Sequence, residues 1–213
     1  MIFIDCQQGS EEWLQARAGI ITASKFSDAI SVLKKASGEK KSGDPTAASD
    51  KYACDLAIER RSNKPYGEPV KSWVLERGHE MERLARIDYE ATTGELVYES
   101  GIVLTDDRLF GYSTDGFVGD DGLIEVKTPI DSLKIEAMLL TEDVSEYQHQ
   151  MQGGMWITGR KWCDLIMPIP DLKFHFKKRV FRDDDFIDSM VDELMKFAGR
   201  VSIKEQFFKL KAA

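Results

Sequence analysis

The stretch Gly111-Tyr112-Ser113-Thr114-Asp115-Gly116-Phe117-Val118-Gly119-Asp120-Asp121-Gly122-Leu123-Ile124-Glu125-Val126-Lys127-Thr128-Pro129 decides the reading of this chain. Two short apolar runs flank the turn residues Gly119-Asp120-Asp121-Gly122, which is the pattern of a β-hairpin. Side chains alternate along a strand, so Glu125 and Lys127 share one face while Ile124 and Val126 point into a core. Asp115 stands on the other strand.

Two carboxylates on adjacent strands offer hard oxygen donors, which suit Mg²⁺ or Mn²⁺; the carbonyl of Val126 can add a further ligand. A lysine facing the same way can orient water beside the cation or neutralise charge building on a phosphate. An exposed hairpin with ordinary surface charges would show the same spacing, and the buried Val126 between the two polar residues favours a site.

Register sets a condition. With Gly119 to Gly122 as a four-residue loop, Gly116 faces Glu125, and Asp115 pairs with Val126 and points away from Glu125. A shared cation therefore requires a slip of one residue. A bulge or an odd-length loop is expected near Asp115–Gly116, where glycine tolerates the backbone angles.

The 213 residues, 42% of them hydrophobic, suffice for one sizeable core. No apolar run approaches the roughly 20 residues of a membrane span. The start, Met1-Ile2-Phe3-Ile4-Asp5, lacks the basic and long apolar regions of a signal peptide. Cys6, Cys54 and Cys163 are far apart with no CxxC pair, which points to a reducing cytoplasm and away from zinc. The net charge of −8 argues against a uniformly basic nucleic-acid-binding surface, although a nuclease must concentrate carboxylates at its metal.

Outward from the hairpin, Ser10 to Gly19 reads as a short helix with Ser10 as N-cap. A second helix is expected from Ser24 through Phe26, Ala29, Ile30 and Leu33, placing the Thr22 and Ser24 hydroxyls at a helix N-terminus that favours anions. Residues 34–49 read as a mobile, lysine-bearing loop, and Asp50 to Arg61 as a helix. The longest helical pattern is Trp73 to Thr93, with Met81, Leu84, Ala85 and Asp88 on one face and Glu82, Arg86 and Tyr89 flanking it. Strands are expected at Val97–Leu104, Leu109–Val118, Leu123–Thr128, Trp162–Met167 and Lys173–Phe181. Glu142–Thr158 reads as a helix in which Gly153-Gly154, each costing about 1 kcal/mol, allows close approach to the sheet. Asp183-Asp184-Asp185 caps a final helix through Met190, Leu194 and Phe197. The pattern is one α/β domain over residues 1–213, with a helical N-terminal portion and a central mixed β-sheet flanked by helices.

With these pieces in order, the chain resembles the phage lambda exonuclease (YqaJ-type viral recombinase) family of the PD-(D/E)xK nuclease superfamily. The residues that carry the resemblance are Trp13 with Leu14-Gln15-Ala16-Arg17-Ala18-Gly19, Ile21-Thr22-Ala23-Ser24, Gly78-His79-Glu80-Met81-Glu82, Ser113-Thr114-Asp115-Gly116, Glu125-Val126-Lys127-Thr128-Pro129, and Tyr147-Gln148-His149-Gln150 with Met155-Trp156-Ile157-Thr158. Thr114 departs from the family's usual proline, and residues 34–49 do not align.

The resemblance implies a restriction-endonuclease-like core. It implies that Asp115, Glu125 and the Val126 carbonyl bind Mg²⁺, with Mn²⁺ able to substitute and two ions expected per site. Glu82 reaches the metal directly or through water, Lys127 positions the nucleophilic water, and Gln150 and Tyr147 support the site. Arg17, Ser24 and Ser113 match a pocket for a 5′-phosphate, and Leu75 stands where the family places an apolar wedge. The implied activity is 5′→3′ digestion of one strand of duplex DNA from its ends, releasing 5′-phosphomononucleotides and leaving 3′ overhangs for recombination. The implied partners are double-stranded DNA ends, a single-strand annealing protein and two further copies in a homotrimeric ring, whose bore would gather the basic residues. Alternatives are an endonuclease of the same superfamily, a non-catalytic DNA-end-binding protein, and a small-molecule metallohydrolase.

Overall fold

In the computed structural model, which describes residues 1–67, 72–169, 172 and 174–211, nine strands form two sheets. The strands are β1 (Ile2–Ile4), β2 (Ile21–Thr22), β3 (Val97–Tyr98), β4 (Ile102–Leu104), β5 (Phe110–Tyr112), β6 (Gly116–Val118), β7 (Gly122–Val126), β8 (Trp162–Ile169) and β9 (Phe174–Phe181). The helices are α1 (Glu11–Arg17), α2 (Phe26–Ala29), α3 (Ala47–Ser62), α4 (Ser72–Thr93), α5 (Ser132–Thr141), α6 (Gln148–Thr158) and α7 (Asp184–Lys211). A small sheet runs β1-β4-β5-β2 and a larger one β3-β6-β7-β8-β9. The expected α/β class and mixed pairing hold, since β7 and β8 are parallel and their neighbours antiparallel.

The two expected long strands at 97–104 and 109–118 are each divided between the sheets. In the second of them the division falls at Ser113-Thr114-Asp115, where the chain leaves β5 in the small sheet and enters β6 in the larger. Thr114 pins this crossing. Its buried hydroxyl accepts from the Gly116 N–H at 3.1 Å and lies 3.0 Å from the Gly116 carbonyl.

The hairpin slips by one residue as expected, and the slip lies in its loop. Gly116 pairs with Ile124, Phe117 with Leu123 and Val118 with Gly122, so the loop holds three residues, 119–121, with Gly119 at φ +51°. Extended by one step, this register sets Asp115 opposite Glu125, on the same face. Gly116 serves packing: a Cβ there would fall 2.2 Å from Val97 Cγ1.

The larger sheet is covered on both faces. Ile124, Val126, Val118 and Ile166 pack with Ala85 and Tyr89 of α4. On the other face, Leu123, Leu165, Met167 and Phe176 join the main core with Met151 and Met155 of α6 and Ile187, Met190, Leu194 and Phe197 of α7. Burying such side chains contributes about 1.5–3 kcal/mol each. Gly154 makes the expected close approach to a sheet, since a Cβ there would meet Tyr112 of β5 at 2.7 Å, whereas Gly153 lies against α2, where a Cβ would meet Phe26 at 2.6 Å.

Three helix expectations need correction. The helix expected through Leu33 stops at Ala29, because the next residues are captured by the loop: Val32 bridges Pro45 and the Leu33 N–H bonds the Asp44 carbonyl. That loop is tied by a further bridge, Ser37 to Lys40, and α3 begins at Ala47. The helix expected from Glu142 starts at Gln148; Glu142, at φ +50°, ends α5. On α4 the inward residues are Ala85 and Tyr89, while Leu84 is exposed, because Tyr89 is drawn in by a 2.9 Å bond from its hydroxyl to buried Asp164. Among the described residues, no helix is long and apolar enough to cross a membrane.

Candidate active site

Where the two sheets meet, one cavity of about 200 Å³ is lined by Arg17, Ser24, Ser113, Asp115, Glu125, Val126, Lys127, Gln150 and Glu82, together with Tyr112, Trp13 and Gln8. Each element delivers a few of these. β7 supplies Glu125 and Val126 with Lys127 beyond its end, α6 supplies Gln150, α4 supplies Glu82 from the opposite face of the sheet, and the crossing segment supplies Ser113 and Asp115.

Glu125 is 2% exposed and fully engaged. Lys127 Nζ donates to its Oε1 at 2.8 Å, the Gln150 amide donates to the same oxygen, and the Tyr112 hydroxyl donates to Oε2 at 2.8 Å. Lys127 also donates to Gln150 Oε1 at 2.9 Å and lies over the Tyr147 ring at 5.3 Å. Asp115 Oδ2 accepts the Val126 N–H at 2.6 Å. The N–H and carbonyl of a strand residue point to the same side, so the Val126 carbonyl faces the side of the strand where Asp115 lies and β6 has ended.

The charges are frustrated. Burial, then the Glu125 and Glu82 carboxylates, push the Asp115 carboxyl well above its ordinary range. Burial also raises Glu82, against the pull of His79 and Arg86. Burial alone would lower Lys127, but Glu125 and Asp115 outweigh it and hold the ammonium protonated. Buried carboxylates short of positive charge are costly unless a cation joins them.

The donor set fits a hard divalent cation: Asp115, Glu125 and the Val126 carbonyl, all oxygen, with Glu82 lining the same cavity. Among the described residues, no three Asp, Glu, His or Cys side chains converge as a ready-made cage.

At the other end of the cavity the Arg17 guanidinium stacks on Trp13 at 4.1 Å, and among the described residues it has no carboxylate or hydrogen-bond partner. Trp13 Nε1 donates to Ser113 Oγ at 2.9 Å, which turns the serine proton outward. Ser24 sits in a short 3₁₀ turn rather than at the start of a long helix, its hydroxyl 3.4 Å from that of Thr22, so attraction for an anion here rests on Arg17. Tyr147 falls in the turn before α6 and lines an adjoining pocket with Ser24, Lys127 and Gln150. Leu75 lies within α4, and its side chain is outside the described residues.

Tyr112, Trp13 and Gln8 were not among the expected site residues. Tyr112 reads as a core aromatic in a strand, and only the pairing of two sheets brings its hydroxyl to Glu125. Gln8, which donates to the carbonyls of Thr114 and Ser100, carries no motif at all. Trp13 stood in a motif, and its indole N–H was the available signal.

The YqaJ-like viral recombinase domain matches residues 12–161, a span that includes every one of the expected site residues. The chain belongs to the YqaJ-like viral recombinase family. Among solved structures, this YqaJ-like chain is similar to an alkaline exonuclease (LHK-Exo) from Laribacter hongkongensis, at 33% identity over 95% of this chain and 98% of that one, with a TM-score of 0.78. The same enzyme in complex with dAMP matches at 33% identity over the same shares, with a TM-score of 0.80. A phage related exonuclease from Haemophilus somnus 129PT shares the fold at 14% identity, over 91% and 96% of the two chains and a TM-score of 0.65. No curated protein sequence matches the chain.

Proposed function

We propose that this chain is a metal-dependent exonuclease that digests one strand of linear double-stranded DNA in the 5′→3′ direction, releases 5′-mononucleotides and leaves 3′ overhangs for recombination. The observation that carries the reading is the convergence of Asp115, Glu125, Glu82, Lys127 and Gln150 with Arg17, Ser24 and Ser113 in one cavity. Family membership and the exonuclease relatives support a nuclease, and the dAMP complex of the Laribacter enzyme supports a mononucleotide product.

In this reading Asp115, Glu125 and the Val126 carbonyl hold Mg²⁺ or Mn²⁺, two ions per site, with Glu82 completing the set. The cation supplies Lewis acidity, which neutralises phosphate charge and eases deprotonation of an attacking water. Lys127, braced by Glu125, Gln150 and the Tyr147 ring, donates to that water or to the charge developing on phosphate. Arg17, Ser113 and Ser24 offer three donors to the terminal 5′-phosphate. Water loses a proton to solvent and attacks phosphorus, and the P–O3′ bond breaks. The 3′-oxygen takes a proton from solvent and leaves on the released mononucleotide, and the shortened strand keeps a new 5′-phosphate for the same pocket. The working unit is a homotrimer around its DNA, partnered by a single-strand annealing protein, and Leu75 splays the duplex end. Light scattering tests the trimer.

The decisive experiment digests linear duplex with and without a 5′-phosphate, in Mg²⁺ and in EDTA, beside a covalently closed circle. The expected result is rapid loss of the phosphorylated linear strand in Mg²⁺ alone. Cutting of the closed circle would make the protein an endonuclease, and digestion in EDTA would end the metal assignment.

A further inference from the structure

We infer that Tyr112 is a positioning residue for the cation site, and that Gly154 exists to seat it. This deepens the reading above and rests on it.

The Tyr112 ring is 1% exposed and its hydroxyl donates to Glu125 Oε2 at 2.8 Å. The other oxygen of that carboxylate is held by Lys127 and Gln150. Each oxygen therefore has its own fixed donor, and the plane of the carboxylate is set from both ends. The three donors come from different elements, Tyr112 from the small sheet, Lys127 from just beyond β7 and Gln150 from α6.

Room for the ring comes from α6. A Cβ at Gly154 would fall 2.7 Å from Tyr112 Cε1 and Cζ, inside the contact any real side chain makes. A glycine in a helix interior lowers its stability by roughly 1 kcal/mol relative to alanine, and its hydrogen atom here faces the tyrosine directly. Hydrogen bonds that orient a liganding group govern metal affinity about as strongly as many ligands do, and their loss costs about 10–100-fold.

Two variants reach Glu125 by different routes. Tyr112→Phe deletes the donor with the ring in place; Gly154→Ala displaces the ring with the donor intact. Mg²⁺ affinity of the DNA-free protein is read by calorimetry, with Asp115→Asn as reference and unfolding midpoints in EDTA as a check of folding. Both variants are expected to bind Mg²⁺ about 10–100-fold more weakly, to need correspondingly more Mg²⁺ for half-maximal digestion, and to recover rate when it is saturating. The preference for 5′-phosphorylated ends stays as in wild type.

Mg²⁺ affinity within about twofold of wild type in a folded Tyr112→Phe, while Asp115→Asn abolishes binding, would overturn the role of Tyr112 alone. Mg²⁺ binding that survives Asp115→Asn would overturn the cation site itself. Should Tyr112→Phe not fold, Gly154→Ala decides by the same affinity criterion.

Discussion

Val126 donates its backbone N–H to Asp115 Oδ2 at 2.6 Å, so the carboxylate of one hairpin strand occupies the place where the next ladder bond would form. The strand β6 begins one residue later, at Gly116, and the Asp115 side chain substitutes for the backbone that would have extended it. Asparagine keeps an acceptor there without the charge. Asp115→Asn is therefore expected to raise the unfolding midpoint in EDTA, since an ionised carboxylate at a site that disfavours it is removed. It is expected to abolish Mg²⁺-dependent digestion. A lower midpoint in calorimetry would contradict the charge frustration.

The pH dependence follows from the same groups. Asp115 and Glu82 lie above their ordinary values of 3.8 and 4.5 in the folded chain. The folded state thus holds protons that the unfolded state has released. This contribution is fully present below the ordinary values and is lost as pH rises through the folded ones. The cation needs both groups ionised, so its affinity rises across that window and its binding releases protons. Midpoints in EDTA should fall with rising pH more steeply for wild type than for Asp115→Asn, while the gain from Mg²⁺ grows.

Lys127→Ala separates binding from chemistry. Removing an ammonium that faces developing charge is expected to slow digestion by about 10²–10³-fold. Mg²⁺ affinity should change far less than the rate, because Gln150 still holds the same Glu125 oxygen and the cluster becomes more negative. Parallel rate and calorimetric measurements check both halves.

Arg17→Ala and Ser113→Ala should act on the substrate end. Losing a hydrogen bond to a charged group costs about 1.5–3 kcal/mol, roughly 10–100-fold. Digestion of 5′-phosphorylated duplex should fall by that factor while digestion of 5′-hydroxyl duplex stays level. An equal fall on both substrates would remove these residues from phosphate recognition.

A pair of glycine variants tests the packing. Gly116→Ala drives a Cβ to within 2.2 Å of Val97 Cγ1 and should destabilise the chain by about 1–3 kcal/mol. Gly199→Ala, in α7 with open space around it, should stabilise it by about 0.4–1 kcal/mol. Denaturant midpoints measure both.

The hairpin was legible because its information is local: turn residues, alternation and a parity argument that demanded a slip. Helices with strong caps, such as Ser10 for α1, were legible for the same reason. The division into two sheets was not, since pairings such as Ile21 with Phe110 join residues far apart in the chain. The inner face of α4 differs from its apolar pattern because Leu84 is the more apolar residue, whereas Tyr89 is held inward by a partner, Asp164, that the helix pattern does not contain. α5 carries little amphipathic pattern and went unread, with exposed Leu133 and Leu140 against buried Met138.

The crossing at Ser113-Thr114-Asp115 also fixes a length. Thr114 turns inward and is anchored, while Ser113 and Asp115 both open into the cavity. On the proposed assignment, the Cα atoms of Ser113, beside the terminal phosphate, and of Asp115, at the centre of hydrolysis, are two residues apart, at most roughly 7 Å. The protein then carries a ruler in its own chain. Its bite is set by covalent geometry, one nucleotide at a time, and lengthening this segment by a residue would alter the size of the product before it altered the chemistry.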